Sequence, residues 1–152
     1  QNEPIDLQSL LKETIAEASA HASHKNIRFD FIGNTPSTVT GESALLSRAI
    51  LNLLENAADF SPPDATILVS LGVTDDSAII AIRDYGPGLP DYALPRLFER
   101  FYSLKHQLTG RKGTGLGLCF VKEAAELHHG SVTLKNHPDG GALATLTLPL
   151  QS

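Results

Sequence analysis

The chain has 152 residues, a formal net charge of −5, 41% hydrophobic and 19% charged residues, the make-up of one soluble globular domain with a real core rather than two. That acidic balance argues against a general nucleic-acid binder, which needs a basic excess to cover phosphates. No apolar run approaches the ~20 residues of a membrane helix, no signal peptide is visible, and a single cysteine, Cys119, rules out an intrachain disulfide and fits a cytosolic setting.

The first predicted element is a helix over LQSLLKETIAEASAHASHK (7–25), with Asp6 of Pro4-Ile5-Asp6 as its N-cap. IRFDFIG (27–33) reads as a strand, and Gly41-Glu42-Ser43 opens a second helix that runs to about Ser61 and is stopped by Pro62-Pro63. Leu46, Ile50, Leu53 and Ala57 recur along it at helical spacing and are expected to face the core. ATILVSLG and SAIIAIRD alternate about Thr74-Asp75-Asp76 as a hairpin. Residues 85–113 read as loop, with a short helical piece near LPRLFERFY, and a glycine-led helix follows and ends at Gly130. SVTLKN and ALATLTLPL, joined by HPDGG, close the chain as a last hairpin. The order α-β-α-β-β-loop-α-β-β predicts an α/β sandwich, with helices covering one face of a mixed, mostly antiparallel sheet.

Four stretches carry chemistry. Asn52 and Asn56, four apart on the second helix, share a face with Asp59 and Phe60, which we place roughly opposite the Leu46/Ile50/Leu53 stripe. An amide oxygen is a hard, neutral donor suited to Mg²⁺, which takes few protein ligands; alternatively, the two amides simply face solvent. Asp84 is in phase with Ile80 and Ile82, so its carboxylate points to the core side at a strand end and needs a donor there. With Tyr85-Gly86-Pro87-Gly88 after it, the acid either receives the exocyclic amine of an adenine or caps its own turn. Gly113, Gly115 and Gly117 expose backbone N–H groups at a helix start, a combination that attracts phosphate. No Gly-Lys-Ser/Thr follows as in a P-loop, and the Rossmann spacing is absent. SLKHQLTGRK ahead of them, with Lys105, Arg111 and Lys112, suits either a lid over a polyphosphate or a solvated loop. Phe98 and Phe101 of LFERFY are expected as core anchors, and Arg100 as a phosphate clamp or a surface charge.

Taken in this order, NLLENA, DYGPG, LFERFY and GTGLGL closely resemble the N, G1, F and G2 boxes of bacterial sensor histidine kinases, over nearly the whole chain. PDYALPRLFERFYSL and GLGLCFVKEAAELHHGSVTLKN look most like carbon-source-responsive sensors within that family. The resemblance implies a catalytic ATP-binding domain over residues 1–152, with the Bergerat fold shared by gyrase, Hsp90 and MutL. In this reading Asn56 holds Mg²⁺ and Asn52 lines the metal and phosphate site. Asp84 binds the adenine amine, while Gly86, Gly88 and Leu89 shape the base pocket. Gly113, Thr114, Gly115, Leu116, Gly117 and Leu118 pack round the phosphates, with Asp59, Phe60, Lys105, Arg111 and Lys112 at the nucleotide and Arg100 catalytic beside Asn52 and Asn56. The implied cofactors are ATP and Mg²⁺. The implied partners are the protein's own dimerisation and histidine phosphotransfer domain and a cognate response regulator. The family also implies a cytoplasmic domain of a protein anchored in the inner membrane, and a monomeric fragment.

Three departures stand out: Asp59 replaces a basic residue of many relatives, Phe60 a frequent Tyr, and Ser103 the second Arg of FERFYR. The six histidines, His21, His24, His106, His128, His129 and His137, do not begin the H-[E/D]-x-[R/K]-x-P acceptor pattern. The start at Gln1 rather than Met suggests a piece of something longer, with the acceptor helix upstream. Alternative readings are an ATP-hydrolysing clamp, an anti-sigma-type serine kinase, or a nucleotide-sensing module. Clamp relatives place a Glu four residues before the metal-binding Asn, where this chain has Asn52, and Glu55 projects about 100° round the helix from Asn56. If Arg111 and Lys112 compensate for the two lost cations, reversing both charges lowers ATP affinity more than reversing Lys122; equal calorimetric titration curves for the two variants contradict this.

Overall fold

A computed structural model describes residues 2–33, 35–99 and 117–151. In chain order the elements are β1 (Glu3–Asp6), α1 (Leu7–His21), β2 (Arg28–Ile32), β3 (Thr38–Gly41), α2 (Ser43–Asp59), β4 (Thr66–Thr74), β5 (Ser77–Arg83), α3 (Gly117–Leu127), β6 (Ser131–Asn136) and β7 (Ala142–Pro149). Short 3₁₀ turns lie at Ser23–Lys25 and Leu94–Arg96. Five strands form one sheet in the order β2-β4-β5-β7-β6. Its β2–β4 pair is parallel and the other three are antiparallel, the mixed sheet that the order of elements predicts.

Alternation decides which face is covered. Ile67, Val69 and Leu71 of β4, Ile80 and Ile82 of β5, and Ala144, Leu146 and Leu148 of β7 are buried, whereas residues of the opposite phase, such as Leu68 and Ile79, are only partly so. The helices meet that inner face. Leu46, Ile50, Leu53 and Leu54 of α2 and Val121, Ala124 and Ala125 of α3 join the same core cluster, following the 3.6-residue period of an amphipathic helix.

Helix ends are held by specific partners. Asp6 caps α1, its side chain accepting the Gln8 N–H at 3.1 Å, as the sequence leads one to expect. At the far end of α2, Lys25 donates to the carbonyls of Ala58 (2.8 Å) and Asp59 (3.3 Å), and Ser61 Oγ donates to Ala57 at 2.8 Å. These bonds satisfy carbonyls that a helix otherwise leaves without partners. The start of α2 depends on a residue far along the chain: buried His128 accepts the Glu42 N–H on Nε2 at 3.1 Å, and its Nδ1 lies 2.7 Å from the Ala124 carbonyl. Since Nδ1 faces a carbonyl, it carries the proton and Nε2 is the acceptor.

The structure corrects the sequence reading at five places. A separate two-stranded antiparallel sheet joins β1 to β3, and neither strand was expected. Each is four residues long with one or two buried positions, too short to establish an alternation. The first helix stops at His21 rather than continuing to Lys25, and α2 ends at Asp59, short of Ser61. Only a 3₁₀ turn marks the helical piece expected near LPRLFERFY among its described residues. Finally, α3 ends through His129 (φ 61) in the left-handed region, with His129 N–H donating to Glu126 at 3.0 Å and Gly130 N–H to Ala125 at 2.8 Å. This is a Schellman closure, and its strained position is held by a histidine rather than by Gly130. Replacing His129 with Gly is therefore expected to raise stability by about 0.5–1 kcal/mol in urea unfolding, since a β-carbon in the left-handed region is penalised; a lower midpoint contradicts this.

Candidate nucleotide site

The last turn of α2, the end of β5 and the β6–β7 hairpin converge on one cleft. Leu53, Asn56, Ala57 and Phe60 line one side of it, and Ile82, Asp84, Leu89, Leu134, Ala142 and Ala144 the other. The cavity between them is about 20 Å³, room for a water or so. A flat heterocycle enters only if the walls part. The sides are apolar and the polar groups few, the usual character of a small-molecule site.

Asp84 supplies the decisive polar group. It is 5% exposed and is the only buried carboxylate among the described residues. The phase of SAIIAIRD puts it on the core side, as the sequence reading expects. Its Oδ1 accepts two backbone N–H groups, from Gly86 at 3.0 Å and from Ala142 at 3.1 Å. The turn-capping role is thus present, yet it occupies one oxygen; Oδ2 takes no hydrogen bond from the described residues. Burial raises the carboxyl above its ordinary range, while the Gly86 and Ala142 N–H groups and the nearby Arg83 guanidinium oppose that rise. Arg83 itself stacks over Tyr85, 4.3 Å from the ring centroid.

The loop after Asp84 is shaped by close approach. A β-carbon at Gly86 would lie 2.6 Å from the Phe60 carbonyl oxygen, so that glycine lets the loop abut the end of α2. Gly88 has φ 85, a conformation that disfavours any side chain. Leu89, buried, packs with Ala93, Leu97 and Ala142 in a second small cluster that also takes in Phe60, Phe98 and Leu118. Phe98 is thus an anchor, though of this satellite cluster rather than of the main core.

The two asparagines fall differently. Asn56 lines the cleft beside Leu53, so its expected place opposite the apolar stripe is corrected: three residues apart on a helix is about 60° of arc, which is adjacency. Asn52 Nδ2 reaches the carbonyl of Gly117 at a long 3.5 Å, bringing the start of α3 to the polar end of α2. A β-carbon built on Gly117 would meet none of the described residues within 4 Å, so packing against them does not explain that glycine. Phe60 lines the cleft, whereas Asp59 does not, its carbonyl accepting from Lys25. Glu55 turns toward α1, 3.8 Å from His21 Nδ1. The expected Arg100, Lys105, Arg111, Lys112, Gly113, Thr114, Gly115 and Leu116 lie outside the described residues.

Residues 41–152 match the family described as histidine kinase-, DNA gyrase B- and HSP90-like ATPase. The chain belongs to that family. Among proteins similar to this ATPase domain is the sensor protein CreC of Escherichia coli K12, 42% identical over 95% of the chain. The chain spans only 30% of that sensor's length. A mycobacterial sensor histidine kinase, MprB, superposes with a TM-score of 0.87 at 31% identity, covering 99% of both chains. Full-length ShkA, solved with AMPPNP, gives 0.85 at 25% identity over the whole of this domain and 32% of its own chain. As an ATPase domain it binds ATP, and no helix among the described residues is long and apolar enough to cross a membrane.

Two contributors to this site escaped the sequence reading: Ala142, whose N–H reaches Asp84, and Asn136, whose amide meets Leu89. Only the strand register exposes them. If Asp84 accepts a base amine, Asp84→Asn lowers ATP affinity about 10–100-fold at pH 7 by removing a charge-assisted bond. It also leaves the fold at least as stable there. A carboxyl raised on folding destabilises the native state increasingly as pH climbs from the unfolded value through the folded one, and the amide removes that penalty. The wild-type advantage in ATP affinity shrinks on acidification, beginning above the ordinary carboxylate range. Calorimetry of both proteins across pH checks this, and a constant affinity ratio contradicts it.

Proposed function

We propose that this domain binds Mg-ATP and transfers the γ-phosphoryl group to a histidine on a separate dimerisation helix. A response-regulator aspartate then receives it in two-component signalling. One observation supports this most: Asn56, Phe60, Asp84 and Leu89 line one cleft, while Asn52 draws the glycine start of α3 alongside. The cleft takes the base, with Oδ2 of Asp84 receiving its amine. The first N–H groups of α3 and the preceding glycines meet the triphosphate.

The metal fits the donor set. Asn56, whose side chain carries a neutral amide oxygen, lines the cleft. Such a site suits Mg²⁺, which completes its shell with water and phosphate oxygens. When bound, the ion would offset charge on the phosphates. The protein's own part in phosphoryl transfer is to position and to stabilise charge. Asn52 and Asn56 set the polar rim, Asp84 and Leu89 fix the base, and Arg100, Lys105, Arg111 and Lys112 supply positive charge.

Transfer rather than hydrolysis is favoured by what faces the rim. A clamp-type ATPase needs a general base near the attacking water. Asn52 cannot take a proton, and Glu55 lies against His21 on the α1 side. The acceptor histidine, the dimer contacts and a membrane anchor belong to other parts of a longer inner-membrane protein. The domain itself is cytoplasmic and monomeric, and autophosphorylates poorly alone. Mixing it with a separate acceptor-helix dimer and radiolabelled Mg-ATP is expected to yield acid-labile phosphohistidine. Label on serine, or free phosphate alone, rejects the assignment.

A further inference from the structure

Asn136 ends β6 and plays no part in the reaction as described above, yet its side chain bonds through both its oxygen and its nitrogen. Its Oδ1 accepts the Leu89 N–H at 2.7 Å and its Nδ2 donates to the Leu89 carbonyl at 2.8 Å. A carboxamide has one acceptor edge and one donor edge. Here both are spent on a single backbone residue, in the way one strand grips another. A β-carbon at Gly88 would come within 3.0 Å of the same Oδ1, so the preceding glycine gives the amide its approach.

The partner of Asn136 across the hairpin is Ala142. Ala142 N–H donates to Asp84 Oδ1 at 3.1 Å, and its carbonyl accepts the Asp84 N–H at 3.0 Å. One rung of the β6–β7 ladder therefore holds both ends of the segment 84–89. Ala142 fixes the acid and Asn136 fixes the leucine. Both Asp84 and Leu89 line the cleft, so the spacing between its acceptor and its apolar wall is set by that rung.

We infer that Asn136 is a positioning residue for base selection: it holds Leu89 so that a purine entering the cleft is steered with its amine onto Asp84. This rests on the nucleotide reading above and adds a specificity device to it. Both bonds hold Leu89, which lines the cleft together with Asp84, so the effect belongs to the base. Local bonds in a half-buried site are strong enough to fix such a wall, because both groups lose water when paired.

The test compares ATP with inosine triphosphate, which carries an oxygen in place of the amine, by calorimetry on wild type, Asn136→Ala and Asn136→Asp, with thermal unfolding run alongside. Wild type is expected to prefer ATP. In Asn136→Ala, ATP affinity falls about tenfold, equivalent to one modest hydrogen bond, and the preference over inosine triphosphate contracts by a similar factor. Asn136→Asp keeps the acceptor for Leu89 N–H but sets a carboxylate against its carbonyl, so it too contracts the preference while keeping the size of the side chain. That variant carries the test if Asn136→Ala does not fold. A lowered melting temperature with the ATP preference intact in both variants makes Asn136 a packing residue and overturns the inference. Wild type without any ATP preference removes the base site itself, and the inference with it.

Discussion

A single buried carboxylate organises this domain. Asp84 sits at the end of the central strand β5 with 5% exposure, where an ionised acid without donors is costly. The fold meets that cost with two backbone N–H groups, from Gly86 and Ala142, both on Oδ1. One of them is local and turns the chain. The other comes from the last hairpin and binds the loop to the far side of the sheet. What remains is a second oxygen at an apolar cleft, a group whose desolvation makes it a strong acceptor for any donor that enters.

The elements around the acid serve to bring the end of α2 and the start of α3 to that oxygen. α2 carries Asn52 and Asn56 in its last turns, with Phe60 just past its end, and its final carbonyls are held by Lys25 and Ser61. α3 runs back along α2: its first residue, Gly117, meets Asn52, and His128 just past its end meets Glu42. These two contacts at opposite ends fix the lie of one helix on the other. The helix start that faces phosphate in our proposal is thereby placed by a histidine on the remote side of the domain.

Much of this was legible in the sequence, and the exceptions have a common cause. Alternation located the covered face of the sheet and turned Asp84 inward, because a period of two leaves no freedom once Ile80 and Ile82 are buried. Helical spacing located the core stripe of α2. It misjudged Asn56, since the apolar arc on that helix is wide enough to border it. Asn136, Lys25 and His128 gave no signal. Their bonds span 47, 33 and 86 residues of chain, and asparagine, lysine and histidine occur as readily on any exposed surface. The small β1–β3 sheet was missed because four-residue strands carry too few buried positions to establish a period. The histidine in a left-handed helix closure ran against the glycine expectation one residue later.

In the proposed site, Oδ2 of Asp84, which takes no hydrogen bond from the described residues, receives the amine of a purine. A crystal structure of this domain with Mg²⁺ and a non-hydrolysable ATP analogue tests it directly. The exocyclic nitrogen is expected about 2.7–3.2 Å from Asp84 Oδ2, the range of a normal hydrogen bond, with Leu89 against the ring and Asn56 oxygen toward the metal. A nucleotide bound elsewhere, with the cleft still closed by Phe60, Leu89 and Leu134, contradicts it.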